Sequence, residues 1–507
     1  MRLTVLLKEF LEFEVVPMQI SIAGRQCDLS DPELLTVHCD DIDIDSRNVV
    51  YQGIFLALLG SQTDGRNYIN SAIDAGAVAV FYELNQLSSE QKAMLDKADC
   101  ACIGIADLSA YASKIAAIFF GSPSEVIQVY GITGTNGKTS CAYLLAQAFN
   151  NLGYRTAFMG TIGVGLPYEL SATSHTTLDA VTMQRYLAKL VDEGFTHACI
   201  EVSSHALDQY RVKAVNFYGV LYTNLSQDHL DYHGDMQSYA AAKKRLFTEF
   251  EPSLAVINVD DQMGQALLQE VNAEFIVSYG SEGSAADAVA EDVKATKMGL
   301  SFLLESQTIE VTVNSPLLGL LNIPNLMLVV TTLLALGVDV EQVGKCMQAC
   351  QAAPGRMELF VGQNKPMVVV DYAHTPEAIK AALQSCRVHC DGQLWIVFGC
   401  GGDRDQFKRP LMGQMAEKYA DQIVVCSDNP RTESAEEIIA AIVKPMLKPP
   451  MVIEHRATAV AYAIQQASVN DLVLLAGKGH ETGQIIGEKI LPYSDREWAK
   501  ECLGVAA

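Results

Sequence analysis

The stretch Gly131-Ile132-Thr133-Gly134-Thr135-Asn136-Gly137-Lys138-Thr139-Ser140 carries residue types suited to holding a nucleotide triphosphate. Glycines let a backbone curl without Cβ clashes, so its N–H groups can converge on phosphate oxygens. A helix N-terminus just beyond adds partial positive charge. Lys138 can reach the terminal phosphates, and the Thr139 hydroxyl can sit on a magnesium ion. Five residues separate Gly131 from Gly137-Lys138-Thr139, one more than in the common phosphate loop. A plain glycine-rich turn would not need Gly-Lys-Thr at the opening of a helix.

Further along, apolar runs end in acidic and imidazole groups. Ala198-Cys199-Ile200 leads into Glu201-Val202-Ser203-Ser204-His205, and Val220 to Thr223 leads into Asn224-Leu225-Ser226-Gln227-Asp228-His229-Leu230-Asp231. Magnesium takes oxygen ligands and tolerates an occasional imidazole, so Glu201 and His229 are candidate ligands; His205 and His233 are as readily packing residues. In the last third, four apolar runs end in polar loops: Asp371-Tyr372-Ala373-His374, Gly399 to Asp405, Ser427-Asp428-Asn429-Pro430-Arg431 and Gly477-Lys478-Gly479-His480-Glu481. Arg404, Arg431, Asp428 and Glu481 mix both signs of charge. Such a crevice suits a zwitterion, with arginine forking a carboxylate and a carboxylate receiving an ammonium. Gly399–Gly402 lacks the full Gly-x-Gly-x-x-Gly spacing and is not read as a dinucleotide fingerprint.

These loops need strands to present them. Strand-like runs at 126–132, 155–159, 197–202, 217–223 and 254–258 alternate with helical patterns, which predicts a doubly wound, mostly parallel sheet with ligands at the carboxyl ends of its strands. Residues 1 to 123 form a smaller α/β unit, with strands at 53–58 and 77–81 around a helix at 68–75. Gly121-Ser122-Pro123-Ser124 and Ala353-Pro354-Gly355-Arg356 punctuate the chain. The expected domains are therefore 1–123, 124–353 and 354–507, the last a second Rossmann-like α/β domain. Residues 272–315 read as antiparallel β material, and a helix over 326–336 follows Asn322, which can act as its N-cap or, with Asn325, read a base or ribose.

At 507 residues the chain is too long for one core. Its net charge of −24 argues against non-specific binding to nucleic acid or anionic membrane. The 13 cysteines include no Cys-x-x-Cys pair, which predicts reduced thiols in a cytoplasmic protein. Met1 to Phe13 carries Lys8, Glu9 and Glu12 and lacks a signal-peptide core. The apolar stretch 326–338 is too short to span a bilayer. A monomer that does not insert into membranes is expected.

Together, Thr133-Gly134-Thr135-Asn136-Gly137-Lys138-Thr139, Glu201-Val202-Ser203-Ser204-His205, Asp228-His229, Asn322-x-x-Asn325, Gly355-Arg356-Met357-Glu358 and Asp371-Tyr372-Ala373-His374 resemble, in order, the motifs of the Mur ligase family. The resemblance covers essentially the whole chain. Asp428-Asn429-Pro430-Arg431 is similar to the loop of members that add meso-diaminopimelate, whereas lysine-adding relatives differ there.

The resemblance implies a UDP-binding domain, an ATPase domain and an amino-acid-binding domain. It also implies ATP- and Mg²⁺-dependent amide formation on UDP-N-acetylmuramoyl-dipeptide through an acyl phosphate, in peptidoglycan precursor synthesis. Gly134, Thr135, Asn136, Gly137, Lys138, Thr139 and Ser140 match the ATP loop; Asn322, Arg356 and Asp371 match further nucleotide contacts. Thr139, Glu201, His229 and Lys243, the last as a CO2-derived carbamate (N6-carboxylysine), match the metal set, and Lys138, Lys243, His229 and Glu201 the catalytic group. From the residues alone, Lys243-Lys244-Arg245 reads as a solvated basic run. Ser46, Ser61, Gln62 and Thr63 match uridine contacts; Thr176, Thr177, Ser203, Gln209 and Arg211 match the muramoyl-dipeptide site. Arg404, Asp428, Asn429, Pro430, Arg431, Gly477 and Glu481 match the diaminopimelate pocket. Leu321 and Ala206 depart from residues common in the family. The competing readings are a ligase of the same family adding lysine or extending a folate tail, and a nucleotide-binding switch, which would need neither the mixed-charge crevice nor Glu201 with His229.

Overall fold

β-branched and aromatic runs become strands, and the glycines and acids that end them become the loops of three sheets. The computed structural model describes residues 1–60, 63–173 and 175–505; Ser61 and Gln62 lie outside them. The chain divides into two units. One comprises Met1–Thr135, Tyr154–Ala255 and Ala266–Ile276; the other comprises Asn136–Gly153, Val256–Gln265 and the chain from Val277 onward.

In the first unit, β1 (Met18–Ile22), β2 (Arg25–Gln26), β3 (Asp41–Asp43), β4 (Gly53–Ala57), β5 (Ala79–Glu83) and β6 (Ala101–Ile105) form a sheet in the order β2-β1-β6-β5-β4-β3. β3 to β6 are parallel and β1 runs antiparallel beside β6. β4, β5 and β6 are buried along their whole length, as strands covered on both faces must be. Helix Leu3–Phe13 buries Leu3, Leu6, Leu7 and Phe10 in this core. Arg185, on helix Ala180–Asp192, donates to Asp41 and Asp43, at 3.1 Å each. Burial raises the pKa of Asp43 in spite of that partner.

The same unit holds β7 (Gln128–Thr133), β8 (Thr156–Gly160), β9 (Gly163–Leu166), β10 (Glu169–Ser171), β11 (His197–Glu201) and β12 (Phe217–Tyr222), in the order β10-β9-β8-β11-β7-β12. β8, β11, β7 and β12 are parallel. β7 lies between β11 and β12, so the loops after β7, β11 and β12 open at neighbouring strand ends.

β13 (Leu254–Asn258) and β14 (Phe275–Ser281) carry the chain into the second unit, where β15 (Ala288–Thr296), β16 (Gly299–Ser306) and β17 (Glu310–Ser315) follow. The 272–315 segment is only partly antiparallel. β15, β16 and β17 are, but β14 runs parallel to β15 through Tyr279↔Ala288. The Asp287 carboxylate accepts from both the amide and the hydroxyl of Ser278, so the chain folds back and β15 restarts in the direction of β14. Helix Lys138–Asn151 packs on helices Ile323–Ala335 and Val340–Ala349; Cys346 and Cys350 face it, with sulfurs against the Ala148 and Leu144 carbonyls.

The last sheet contains β18 (Glu358–Val361), β19 (Met367–Asp371), β20 (Leu394–Phe398), β21 (Gln422–Val425), β22 (Met451–Val452) and β23 (Leu472–Ala476), ordered β18-β19-β23-β20-β21-β22. All are parallel except the edge strand β18. A hairpin of β24 (Gly483–Ile486) and β25 (Lys489–Pro492) follows. No helix among the described residues is long and apolar enough to cross a membrane.

Candidate functional site

β7 ends at Thr133, and the chain leaves it through Gly134 at φ 149° and Gly137 at φ 86°, the cap of helix Lys138–Asn151. A Cβ at Gly134 would lie 1.8 Å from Thr223 Oγ1, so no other residue fits there. The first part of the loop is tied down. The Thr135 amide donates to the Asn224 carbonyl at 2.8 Å; its hydroxyl donates to the Ser226 carbonyl at 3.2 Å and meets Tyr239 Oη at 3.1 Å. Thr139 is buried in the first turn of the helix, while Asn136 is exposed.

Lys243 corrects the reading of a solvated basic run. It is 1% exposed, its Nζ donates to the Gly134 carbonyl at 2.7 Å, and it lies 4.5 Å from the Tyr239 ring centre. Its neighbours Lys244 and Arg245 are half-buried and paired with Glu270 and Glu249. Helical spacing puts Lys243 on the inward stripe with Tyr239, Ala242, Leu246 and Phe247.

Glu201 is buried at the end of β11, where its carboxylate accepts from the Thr161 amide at 2.8 Å and the Thr161 hydroxyl at 3.2 Å. Gly160, not singled out by the sequence, makes this possible: a Cβ there would lie 2.1 Å from Glu201 Oε1. His229 adopts φ 52° before a short helix and packs at 4.9 Å against His205, which is also 5.4 Å from His233. Burial, with the neighbouring imidazoles second, lowers His205 to about 4. Among the described residues no three His, Cys, Asp or Glu side chains converge as a metal cage. The donors present, carboxylate, hydroxyl and imidazole, nonetheless suit Mg²⁺, which in nucleotide sites draws most ligands from phosphates and water.

Thr176, Thr177, Ser203, Gln209 and Arg211 form one network around the end of β11. Thr177 Oγ1 donates to the Glu201 carbonyl at 2.8 Å and accepts from the Ser203 amide; Thr176 meets the Thr161 hydroxyl at 3.1 Å. Arg211 donates to the Thr177 carbonyl and to Gln209 Oε1. Its hydrogen bonds among the described residues thus go to neutral oxygens, and burial lowers its pKa. A half-buried guanidinium of this kind is ready for an anionic ligand group. Ser46, buried, and Thr63, exposed, come after the neighbouring parallel strands β3 and β4. The uridine candidates Ser61 and Gln62 are outside the described residues.

In the second unit Asn322 sits at the cap position of helix Ile323–Ala335, but its side chain does not cap. Its amide donates to the Leu318 carbonyl at 2.8 Å and its oxygen accepts from Asn325 at 2.9 Å. Asp371, at the end of β19, accepts from the Met357 and Ala373 amides, and burial raises its pKa despite nearby Arg356. The Arg356 guanidinium lies 4.6 Å from the Tyr372 ring centre, and its buried Nε has no hydrogen-bond partner among the described residues.

The loops after β19, β20, β21 and β23 surround a cavity of about 320 Å³. Arg404, Asp428, Arg431 and Glu481, the mixed-charge set at the strand ends, line it together with Asn429 and Gly477. Pro430 is absent from this lining; its carbonyl lies behind Gly402, where a Cβ would approach it to 1.9 Å. That contact, with Gly399 against the Cys426 carbonyl, explains the glycines of 399–402: they let two strand-end loops touch. Arg431 takes φ 51°, and its guanidinium donates to the Gly402 carbonyl at 2.8 Å. Tyr372, His374 and Lys408 also line the cavity. His374 Nδ1 donates to the Tyr372 carbonyl at 2.8 Å, which leaves Nε2 as an acceptor, and burial lowers its pKa.

The chain matches three family models: the Mur ligase family catalytic domain over residues 38–131, the Mur ligase middle domain over 132–333 and the Mur ligase glutamate ligase domain over 355–479. It is 43% identical over 478 residues to the UDP-N-acetylmuramoyl-L-alanyl-D-glutamate–2,6-diaminopimelate ligase of Haemophilus influenzae (strain 86-028NP), covering 93% of this chain and 98% of that one. A solved structure of a ligase of that name superposes with a TM-score of 0.67 at 33% identity, covering 92% of this chain and 94% of its own. The MurF ligase of Thermotoga maritima, solved with ADP, shares the fold at 17% identity with a TM-score of 0.62, over 91% of this chain and 96% of its own. Motifs, fold and full-length similarity agree, and the chain belongs to the Mur ligase family.

Proposed function

We propose that this protein is an ATP-dependent ligase that joins meso-diaminopimelate to the D-glutamate of UDP-N-acetylmuramoyl-L-alanyl-D-glutamate, in the cytoplasm and as a monomer. The observation that carries this reading is the mixed-charge cavity at four strand ends, which carries Arg404 and Arg431 for carboxylates and Asp428 and Glu481 for ammonium groups. Residues 1–123 would hold the uridine nucleotide, through Ser46 and Ser61 to Thr63. Residues 124–353 would hold ATP, and 354–507 the amino acid. Gly134 to Ser140, with Asn322, Arg356 and Asp371, are the ATP contacts. Thr176, Thr177, Ser203, Gln209 and Arg211 hold the muramoyl-dipeptide.

The chemistry is set by charge. A carboxylate and a triphosphate repel, so the attack of one on the other needs its negative charge countered. A glutamate oxygen forms a bond to the γ-phosphorus as the bond from phosphorus to the ADP oxygen breaks. The diaminopimelate amine then attacks the acyl carbon, loses a proton, and phosphate leaves. Lys138 lowers the first barrier by countering charge on the transferring group, and Arg211 orients the dipeptide. Thr139, Glu201, His229 and a carbamate on Lys243 would hold Mg²⁺, which supplies further charge neutralisation when bound. Arg431, Arg404, Asn429 and Glu481 keep the amine in reach, which removes an entropic cost from the second step.

The test is phosphate release from ATP, Mg²⁺ and UDP-muramoyl-dipeptide with diaminopimelate or lysine as acceptor. Release is expected with diaminopimelate at a far lower KM than with lysine. Release with lysine alone overturns the choice of amino acid, and release with neither overturns the ligase.

A further inference from the structure

Lys478 lies directly behind the amino-acid cavity and does not reach into it. It is fully buried, at 0% exposure, and is absent from the lining. The flanking Gly477 (φ 112°) and Gly479 (φ 53°) bend the chain so that this side chain turns inward. At both glycines a side chain would collide, with Asp428 Oδ2 at 2.7 Å and with the Tyr372 Cβ at 2.8 Å. The buried ammonium donates to Asn429 Oδ1 at 3.0 Å and to Glu481 Oε2 at 2.8 Å, and Asp428 Oδ1 stands 4.0 Å away.

These bonds determine the state of the pocket groups. An ammonium only donates. With Lys478 and the Ile485 amide both donating to it at 3.0 and 2.9 Å, Asn429 Oδ1 is fixed as the carbonyl side of that amide. Nδ2 is then turned to Glu481 Oε2, at 3.0 Å. Among the described residues every side-chain hydrogen bond of the Glu481 carboxylate falls on Oε2. Oε1 is the oxygen left to face a ligand. Asp428, which also lines the cavity, is flanked by Arg456 at 3.7 Å as well as by Lys478. One buried cation therefore sets the rotamer of an acid and the orientation of an amide, and shares with Arg456 the charge of a second acid.

We infer that Lys478 is the positioning residue of the amino-acid site: it holds Glu481 and Asn429 in the arrangement that receives the ammonium group of the incoming amino acid. This rests on the proposed ligase reading. The experiment compares steady-state constants of Lys478→Gln, Lys478→Arg and Glu481→Gln, and of the Lys478→Gln/Glu481→Gln double variant, with diaminopimelate as acceptor. Lys478→Gln should raise KM for diaminopimelate 10- to 100-fold, leave KM for ATP and for the UDP-dipeptide within twofold, and change kcat less than fivefold. In the Glu481→Gln background the same change should cost less than threefold, because the carboxylate it positions is gone. Lys478→Arg keeps the charge but not the geometry, and should raise only the diaminopimelate KM, 3- to 10-fold; it is read alone if Lys478→Gln does not fold. An equal rise in all three KM values, an unchanged diaminopimelate KM, or fully multiplicative losses in the double variant would overturn the inference. A wild-type protein that makes no product from diaminopimelate overturns the ligase reading instead, so the two failures are distinct.

Discussion

Arg431 is held by its own backbone more than by its neighbours. Its amide donates to the Ile485 carbonyl, its carbonyl accepts from the Gly487 amide, and one guanidinium nitrogen is spent on the Gly402 carbonyl. Among the described residues the remaining donors of its planar fork are free to engage a carboxylate of the amino acid, a geometry lysine cannot copy. Diaminopimelate has a second carboxylate where lysine has none. Arg431→Ala should therefore raise KM for diaminopimelate by about 10- to 100-fold, the worth of a charge-assisted hydrogen bond of roughly 1.5–3 kcal/mol, and leave KM for lysine unchanged. Competition between the two amino acids measures it: the preference for diaminopimelate should fall. Arg431→Lys should recover little of it. If both KM values rise together, Arg431 shapes the loop and does not read the carboxylate.

At the scale of elements, strand ends are the legible part of this protein. The apolar runs expected to end at the Gly399 and Gly477 loops appear as β20 and β23, which stop at Phe398 and Ala476, because parallel strands buried on both faces are continuous apolar runs. The loops beyond the strands were legible as polar, but not the direction in which their side chains turn. Lys478 and Lys243 read as loop and surface cations and are buried, since inward orientation depends on glycine φ angles and on partners distant in sequence. Gly160, just past the run at 155–159 and not singled out by the sequence, vacates the volume that Glu201 fills. Gly160→Ala should therefore displace Glu201 and raise the Mg²⁺ concentration for half-maximal activity at least tenfold; unchanged Mg²⁺ dependence would separate Glu201 from the metal. β11 also begins on a titratable group. His197 is buried, stacks 6.1 Å from Tyr130, and burial lowers it to about 4 from 6.5. The folded state thus prefers the neutral ring. This contribution is whole above pH 6.5 and is lost as pH falls toward 4. Between pH 7.5 and 5 it amounts to about 2 kcal/mol. His197→Phe should unfold in urea with a correspondingly weaker pH dependence over that interval; the same slope as wild type would refute the assignment.

Across the whole molecule, a chain of net charge −24 has to assemble anionic substrates. Basic groups stand at each candidate site: Arg404, Lys408 and Arg431 at one cavity, Arg211 at the end of β11, and Lys138 at the head of a helix. This distribution implies a division of labour in time. Formation of the acyl phosphate uses the groups that meet ATP and the dipeptide; the amino-acid cavity acts only on the amine that consumes it. The two steps are then separable by quenching. With ATP, Mg²⁺ and UDP-muramoyl-dipeptide but no amino acid, wild-type protein should form ADP in a burst approaching one equivalent per enzyme. Arg431→Ala should keep that burst at the wild-type rate while losing turnover at low diaminopimelate. Lys138→Ala should lose the burst entirely, and with it turnover with every acceptor. A burst that is absent from wild type until diaminopimelate is added would mean that the amino acid must be bound before phosphate is transferred. A burst lost equally in both variants would place Arg431 in the first step and remove the proposed separation.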